Sequence, residues 1–134
     1  MHQDTNPHGD DVLVVDDDPT IRDLVTELLE DEGYRVRRAC DGLEAWQAIE
    51  DAPPKLLVTD IRMPRMMGSE LVMRLRATGY AFPILLMAAT PALAAPLLRL
   101  DCIEFIMKPF ELERLIDVVR RYTAPAVVES VSIG

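Results

Sequence analysis

The stretch VLVVDDDPT, residues 12–20, decides the reading of this chain. Val12 to Val15 is a continuous apolar run, mostly β-branched and without polar alternation. Such a run suits a strand buried on both faces. Three carboxylates follow at once, Asp16, Asp17 and Asp18, and then Pro19. Crowded like charges repel, and a fold gains nothing by collecting them at the end of a buried strand.

Downstream of this stretch the pattern changes period. Ile21, Leu24, Val25, Leu28 and Leu29 fall at i, i+3, i+4, i+7 and i+8, an amphipathic helix that Gly33 stops. Asp18 sits at its start, where a carboxylate is favourable to the helix dipole. YRVRRA, 34–39, alternates like a weaker or edge strand. Asp41 can cap a second helix carrying Ala45, Trp46 and Ile49, which Pro53-Pro54 ends. KLLVTD, 55–60, is a second buried strand that runs into an acid, followed by the loop RMPRMMG. Ser69 is expected to cap a third helix containing Leu71, Val72 and Leu75. PILLMAA, 83–89, reads as a fourth strand and IEFIM, 103–107, as a fifth. Between them, 91–100 reads as a short helix started by Pro91 and broken by Pro96. A last helix after Pro109 carries Leu112, Leu115, Ile116 and Val119. Strand and helix alternate five times, which calls for a parallel sheet with helices on both faces.

Size and charge narrow the field. The chain has 134 residues, 49% of them hydrophobic, enough for one domain with one core. Its formal net charge of −9 argues against a nucleic-acid footprint and is compatible with a bound cation. The polar leader 1–10 is expected to be disordered, the foldable region to span 11–122, and the tail 123–134 lacks a long periodic pattern. The leader is not a signal peptide, and no apolar run is long enough to span a membrane. A cytoplasmic protein is the expectation. Cys40 and Cys102 lack any CxxC or Cys/His context, so free thiols fit better than a zinc site. His2 and His8 fall in the leader, so neither is a folded phosphohistidine donor. Met63, Met66 and Met67 read as loop packing, and Trp46 as helix–sheet packing.

Open α/β sheets bind ligands at the carboxyl ends of their strands. Here strand one ends in Asp16-Asp17, strand three in Asp60 and strand five in Lys108-Pro109. Three acids and a lysine should converge on one edge. A hard divalent cation such as Mg2+ neutralises clustered carboxylates with oxygen ligands, and lysine is a mobile point charge suited to phosphate.

The texts VLVVDDDPTIRDLV, DGLEAW, LLVTDIRMPRMMG and MKPF, in this order and spacing, resemble the receiver domain of two-component response regulators. The resemblance covers about residues 11–122. It implies a flavodoxin-like (βα)5 doubly wound sandwich with a five-stranded parallel sheet of order 2-1-3-4-5, here with an irregular or shortened fourth helix. In that order Cys40 and Cys102 lie at opposite sheet edges, too far apart for a disulfide. Asp60, eight residues ahead of Gly68, matches the phosphoacceptor. Asp16 and Asp17 match the acidic pair that holds Mg2+ beside Asp60, and Arg62 the position that offers its backbone carbonyl to the metal. Lys108 matches the phosphoryl contact, and its bond to Pro109 is expected to be cis, which would aim the lysine inward. Phe105 matches the aromatic position that rotates on activation. The implied donor is a sensor histidine kinase or a histidine phosphotransfer protein. The implied output is a downstream protein target or an output domain outside these residues. The implied domain is not an enzyme beyond its own phosphorylation and dephosphorylation.

The chain departs from the family at the end of strand four. Ala88 stands where Thr or Ser is usual, and Thr90 is the nearest substitute hydroxyl. TPALAAPLLRLDC, 90–102, is about two residues shorter than the usual run, with Asp101-Cys102 in place of Gly-Ala. Phosphorylation chemistry is expected to survive while its read-out on this face is altered, and the face is open to homodimer contact. Two rival functions stand beside this one. A degenerate receiver would act as a phosphorylation-independent binding module. VVDDDPT also fits the DxDxT pattern of haloacid-dehalogenase-like phosphatases, with Asp16 as nucleophile and Asp18 as acid/base. The tail is too short for a DNA-binding domain, so the chain is read as either a stand-alone receiver or part of a longer protein.

Overall fold

The computed structural model describes residues 11–123, so the expected leader and all but the first residue of the expected tail lie outside the described residues. The elements run β1 (Asp11–Val15), α1 (Pro19–Asp31), β2 (Arg35–Ala39), α2 (Gly42–Asp51), β3 (Leu56–Asp60), α3 (Gly68–Thr78), β4 (Ile84–Ala88), α4 (Pro91–Ala94), β5 (Ile103–Met107) and α5 (Leu112–Thr123). A 3-10 turn, Ala95–Leu97, follows α4 directly. All strand pairs are parallel, in the order β2-β1-β3-β4-β5.

The unalternating text of β1 has a direct cause. Leu13 and Val15 enter one core with Leu57, Leu86 and the inner faces of α2 and α3. Val12 and Val14 enter the other with Val58, Met87 and the inner faces of α1 and α5. All four are fully buried, so neither face of the strand tolerates a polar side chain. Strand β2 alternates because it is the edge. Tyr34, just before it, is buried and its hydroxyl pairs with that of Thr123 at 2.8 Å, which ties the start of β2 to the end of α5.

Helix starts follow the expected chemistry in two cases and depart from it in a third. Asp18 caps α1 by accepting the Thr20 N–H at 2.9 Å, and Asp41 caps α2 by accepting the Glu44 N–H at 2.9 Å. Ser69 does not cap α3. That helix begins at Gly68, two residues before a Ser69 cap would start it, with Met67 in the cap position and no side-chain cap bond. The reason is tertiary. The Gly68 N–H donates to the Ile61 carbonyl at 2.7 Å, and this contact places Gly68 and Ser69 already inside the helix. Between β4 and β5, Pro91 starts α4, and Pro96 falls in the 3-10 turn, so the fourth helix is cut to four residues as its prolines predict. Trp46 packs edge-on against Tyr80 with centroids 6.4 Å apart, a packing role. Met63 and Met66 are buried in the β3–α3 loop, while Met67 is exposed. Both cysteines are free, Cys40 after edge strand β2 and Cys102 before edge strand β5.

Candidate functional site

Parallel register brings the ends of β1, β3 and β5 to the same edge. Val15 lies beside Thr59, Asp60 beside Met87, and Ala88 beside Met107. The next residue of β1 is Asp16, whose side chain is fully buried. Its N–H still donates to the Ala39 carbonyl at 3.2 Å, so the residue is held by its backbone as well as by its carboxylate. Asp16 Oδ1 accepts the Asp18 N–H at 3.0 Å, and Oδ2 accepts Lys108 Nζ at 2.9 Å. The same ammonium reaches Asp60 Oδ2 at 3.1 Å, and Asp60 Oδ1 accepts the Ile61 N–H at 2.8 Å. One lysine therefore bridges two carboxylates whose other oxygens are fixed by backbone amides.

The charges shift one another accordingly. Burial pushes the Asp16 carboxyl above its ordinary value, although Lys108 and the Asp18 amide oppose that. Burial alone would lower the Lys108 ammonium, but Asp16 and then Asp60 more than offset it, and the group is held above its ordinary value. Lysine is thus a firm cation in this nest of acids. The Lys108 N–H donates to the Ala88 carbonyl at 2.8 Å, and the Lys108-Pro109 bond is cis, as expected.

Asp17 is exposed at the mouth of the site. Asp16, Asp17 and Asp60 each offer a carboxylate oxygen, and these oxygens lie within 4.8 Å of one another. Three hard, anionic donors at that spacing fit a small divalent cation that keeps part of its water. Arg62 is exposed in the loop after Asp60. Ala88 is buried at the end of β4 and offers no hydroxyl, while Thr90 is exposed at the N-terminus of α4 and makes no capping bond. Phe105 is half-buried and packs against the core on the α3 and α4 side. Asp18, which a phosphatase would need as acid/base, spends one oxygen on the first turn of α1.

Three contacts around the site went unread in the sequence. Arg22 Nη1 donates to the Asp16 carbonyl at 2.8 Å, bracing the acidic turn from α1. Gly68 closes on the backbone of Asp60: a Cβ there would lie 2.1 Å from the Asp60 carbonyl oxygen. Arg65 reaches from the β3–α3 loop to the cap of α2, where its Nε donates to Asp41 Oδ2 at 2.7 Å. The glycine stood in the sequence as part of the xxMPxxxG text, but its steric reason is visible only in three dimensions.

Asp41 thus serves both α2 and the loop. Burial would raise its carboxyl, but the Glu44 amide and the Arg65 guanidinium hold it below the ordinary value of 3.8. A depressed folded-state pKa contributes stability that is complete above the unfolded value and lost as pH falls through the folded one. Asp41→Ala is expected to cost about 1–2 kcal/mol near neutral pH by urea unfolding, as an N-cap loss does. The gap between variant and parent is expected to narrow as pH falls below about 3.8 and through the lower folded-state value of Asp41.

Comparisons with known proteins agree with this geometry. The family model for the response regulator receiver domain matches residues 12–120. The response regulator MprA of Mycobacterium ulcerans (strain Agy99) is 39% identical over 111 residues, which cover 81% of this chain and 48% of that protein. The chain therefore spans about half the length of the curated relatives it matches. Among solved structures, the receiver domain of NtrX from Brucella abortus superposes with a TM-score of 0.78 at 35% identity, covering 84% of this chain and 97% of that one. The chemotaxis response regulator CheY4 of Vibrio cholerae gives 0.78 at 32% identity, covering 84% and 98%.

Proposed function

This chain belongs to the family of response regulator receiver domains of two-component signalling, and from that premise we propose that Asp60 is its phosphoacceptor. The observation that carries the proposal is the single Lys108 ammonium held between Asp16 and Asp60, beside three carboxylate oxygens within 4.8 Å. The Asp60 carboxylate attacks phosphorus in line. A P–O bond to aspartate forms, the P–N bond to a donor imidazole breaks, and the imidazole leaves as a neutral ring after taking up a proton. Lys108 transfers its contact from Asp60 to the phosphoryl oxygens and stays anchored on Asp16. Asp16, Asp17, Asp60 and the Arg62 carbonyl would hold Mg2+, which when bound neutralises charge developing on the transferred group. Water attack on phosphorus then breaks the acyl P–O bond, releases inorganic phosphate and frees the Asp60 carboxylate.

The donor in this reading is a histidine kinase or a histidine phosphotransfer protein of the cytoplasm. Output passes through protein contacts, or through a further domain of the kind the longer relatives have room for. No helix among the described residues is long and apolar enough to cross a membrane. Ala88 sets this domain apart, because it places a methyl where a hydroxyl could donate to the phosphoryl group. Ala88→Ser is expected to speed adduct formation about fivefold, the worth of one hydrogen bond of about 1 kcal/mol. Quenched intact-mass analysis would follow it. The adduct itself is tested by incubating the protein with acetyl phosphate, with Mg2+ or with EDTA, and weighing it intact. One phosphoryl group with Mg2+ and none with EDTA is the expected outcome. No adduct in either would support a phosphorylation-independent binding module.

A further inference from the structure

The loop between Asp60 and α3 is fastened at its far end and in its middle. At its far end the Gly68 N–H donates to the Ile61 carbonyl at 2.7 Å. In its middle Arg65 holds a left-handed backbone, φ 67°, which costs a non-glycine residue energy and needs a compensating contact. That contact is Asp41. Arg65 places both Nε, at 2.7 Å, and Nη2, at 2.5 Å, on the one oxygen Asp41 Oδ2. Asp41 is not a loose surface acid. Its side chain is 4% exposed, and its other oxygen is committed to the first turn of α2. The next loop residue closes the joint: a Cβ on Gly42 would lie 2.4 Å from the Met66 carbonyl oxygen. Asp41-Gly42 of α2 and Arg65-Met66 of the loop therefore interlock as a latch.

We propose that Arg65 is a positioning residue for the metal site, acting through Asp41. The inference rests on the reading of Asp16, Asp17, Asp60 and the Arg62 carbonyl as cation ligands. Arg62 lies three residues before the latch, in the β3–α3 loop, and the carbonyl of a free loop cannot hold one direction. The latch fixes the loop against a rigid helix start, so the carbonyl is preorganised instead of being ordered at the moment of binding. An exposed guanidinium is otherwise a weak reason to hold a strained backbone.

Glycine at position 65 separates positioning from stability, because it removes the latch and relieves the left-handed backbone together. Mg2+ binding is measured by calorimetric titration of the protein without phosphodonor, with melting curves alongside. Arg65→Gly is expected to keep its melting temperature near that of the parent while binding Mg2+ about tenfold more weakly, as for loss of a ligand-orienting partner. Asp41→Asn, which keeps the cap oxygen but not the charge, is expected to weaken binding similarly, and the double variant no further. Arg74→Ala removes the same charge from the Glu70 pair on α3 and is expected to bind Mg2+ as the parent does. Parent-like Mg2+ affinity in both Arg65→Gly and Asp41→Asn would overturn the latch. A parent chain that binds no Mg2+ would overturn the metal-site reading beneath it, which is a different failure.

Discussion

Asp60→Asn, incubated with Mg2+ and acetyl phosphate, is expected to gain no phosphoryl group while folding as the parent does. The two halves of that expectation have separate causes. A carboxamide is not a nucleophile towards phosphorus, so the acyl phosphate cannot form. The fold barely registers the change, because asparagine keeps an oxygen for the Ile61 N–H, now 2.8 Å from Asp60 Oδ1. Lys108 loses one of two carboxylate partners but keeps Asp16 at 2.9 Å. Removing one of three crowded acids also relieves their repulsion. The net change in unfolding free energy is expected to stay within about 1 kcal/mol. Intact mass and urea unfolding on one preparation check both halves.

The second large effect is steric. Gly68→Ala adds a Cβ 2.1 Å from the Asp60 carbonyl oxygen and 2.8 Å from Ile61 Cα. Both are backbone atoms, and neither can rotate away as a side chain would. Relief requires the start of α3 to move off β3, which breaks the Gly68–Ile61 hydrogen bond and drags on the residue that carries the nucleophile. A cost of about 3 kcal/mol or more is expected, at the severe end for overpacking. Adduct formation should fall with it. Gly79 is the contrast. It caps α3 with φ 103°, but a Cβ there meets nothing within 4 Å. Gly79→Ala is therefore expected to cost only the backbone preference, about 1 kcal/mol, and to leave the adduct yield intact. Urea unfolding of the two alanine variants side by side measures the difference.

What the sequence disclosed depended on how local the cause was. VLVV announced a strand buried on both faces because each of its side chains meets a core. The acids and the lysine were legible because each ends a strand, and a parallel sheet sends such ends to one edge. The cut fourth helix was legible because proline acts on its own neighbours. The cap of α3 was misread for the opposite reason. Ser69 has the right local chemistry, but a glycine packed on the Asp60 carbonyl starts the helix first. The Arg65–Asp41 pair was invisible because its partners are 24 residues apart and meet only after α2 and the loop are both in place. Arg22 escaped notice likewise: its spacing of six residues from Asp16 is no helical signal, since the turn between them decides the contact.

The central claim, that the phosphoryl group resides on Asp60, is tested most directly by trapping it. Borohydride reduces an acyl phosphate to a primary alcohol and releases phosphate, so a phosphorylated aspartate becomes homoserine at its own position. The protein is treated with acetyl phosphate and Mg2+, reduced, digested and sequenced by mass spectrometry. Homoserine at position 60 alone, absent when EDTA replaces Mg2+, is the predicted result. Homoserine at position 16 or 17, or a phosphoryl adduct that yields none at position 60, would contradict it.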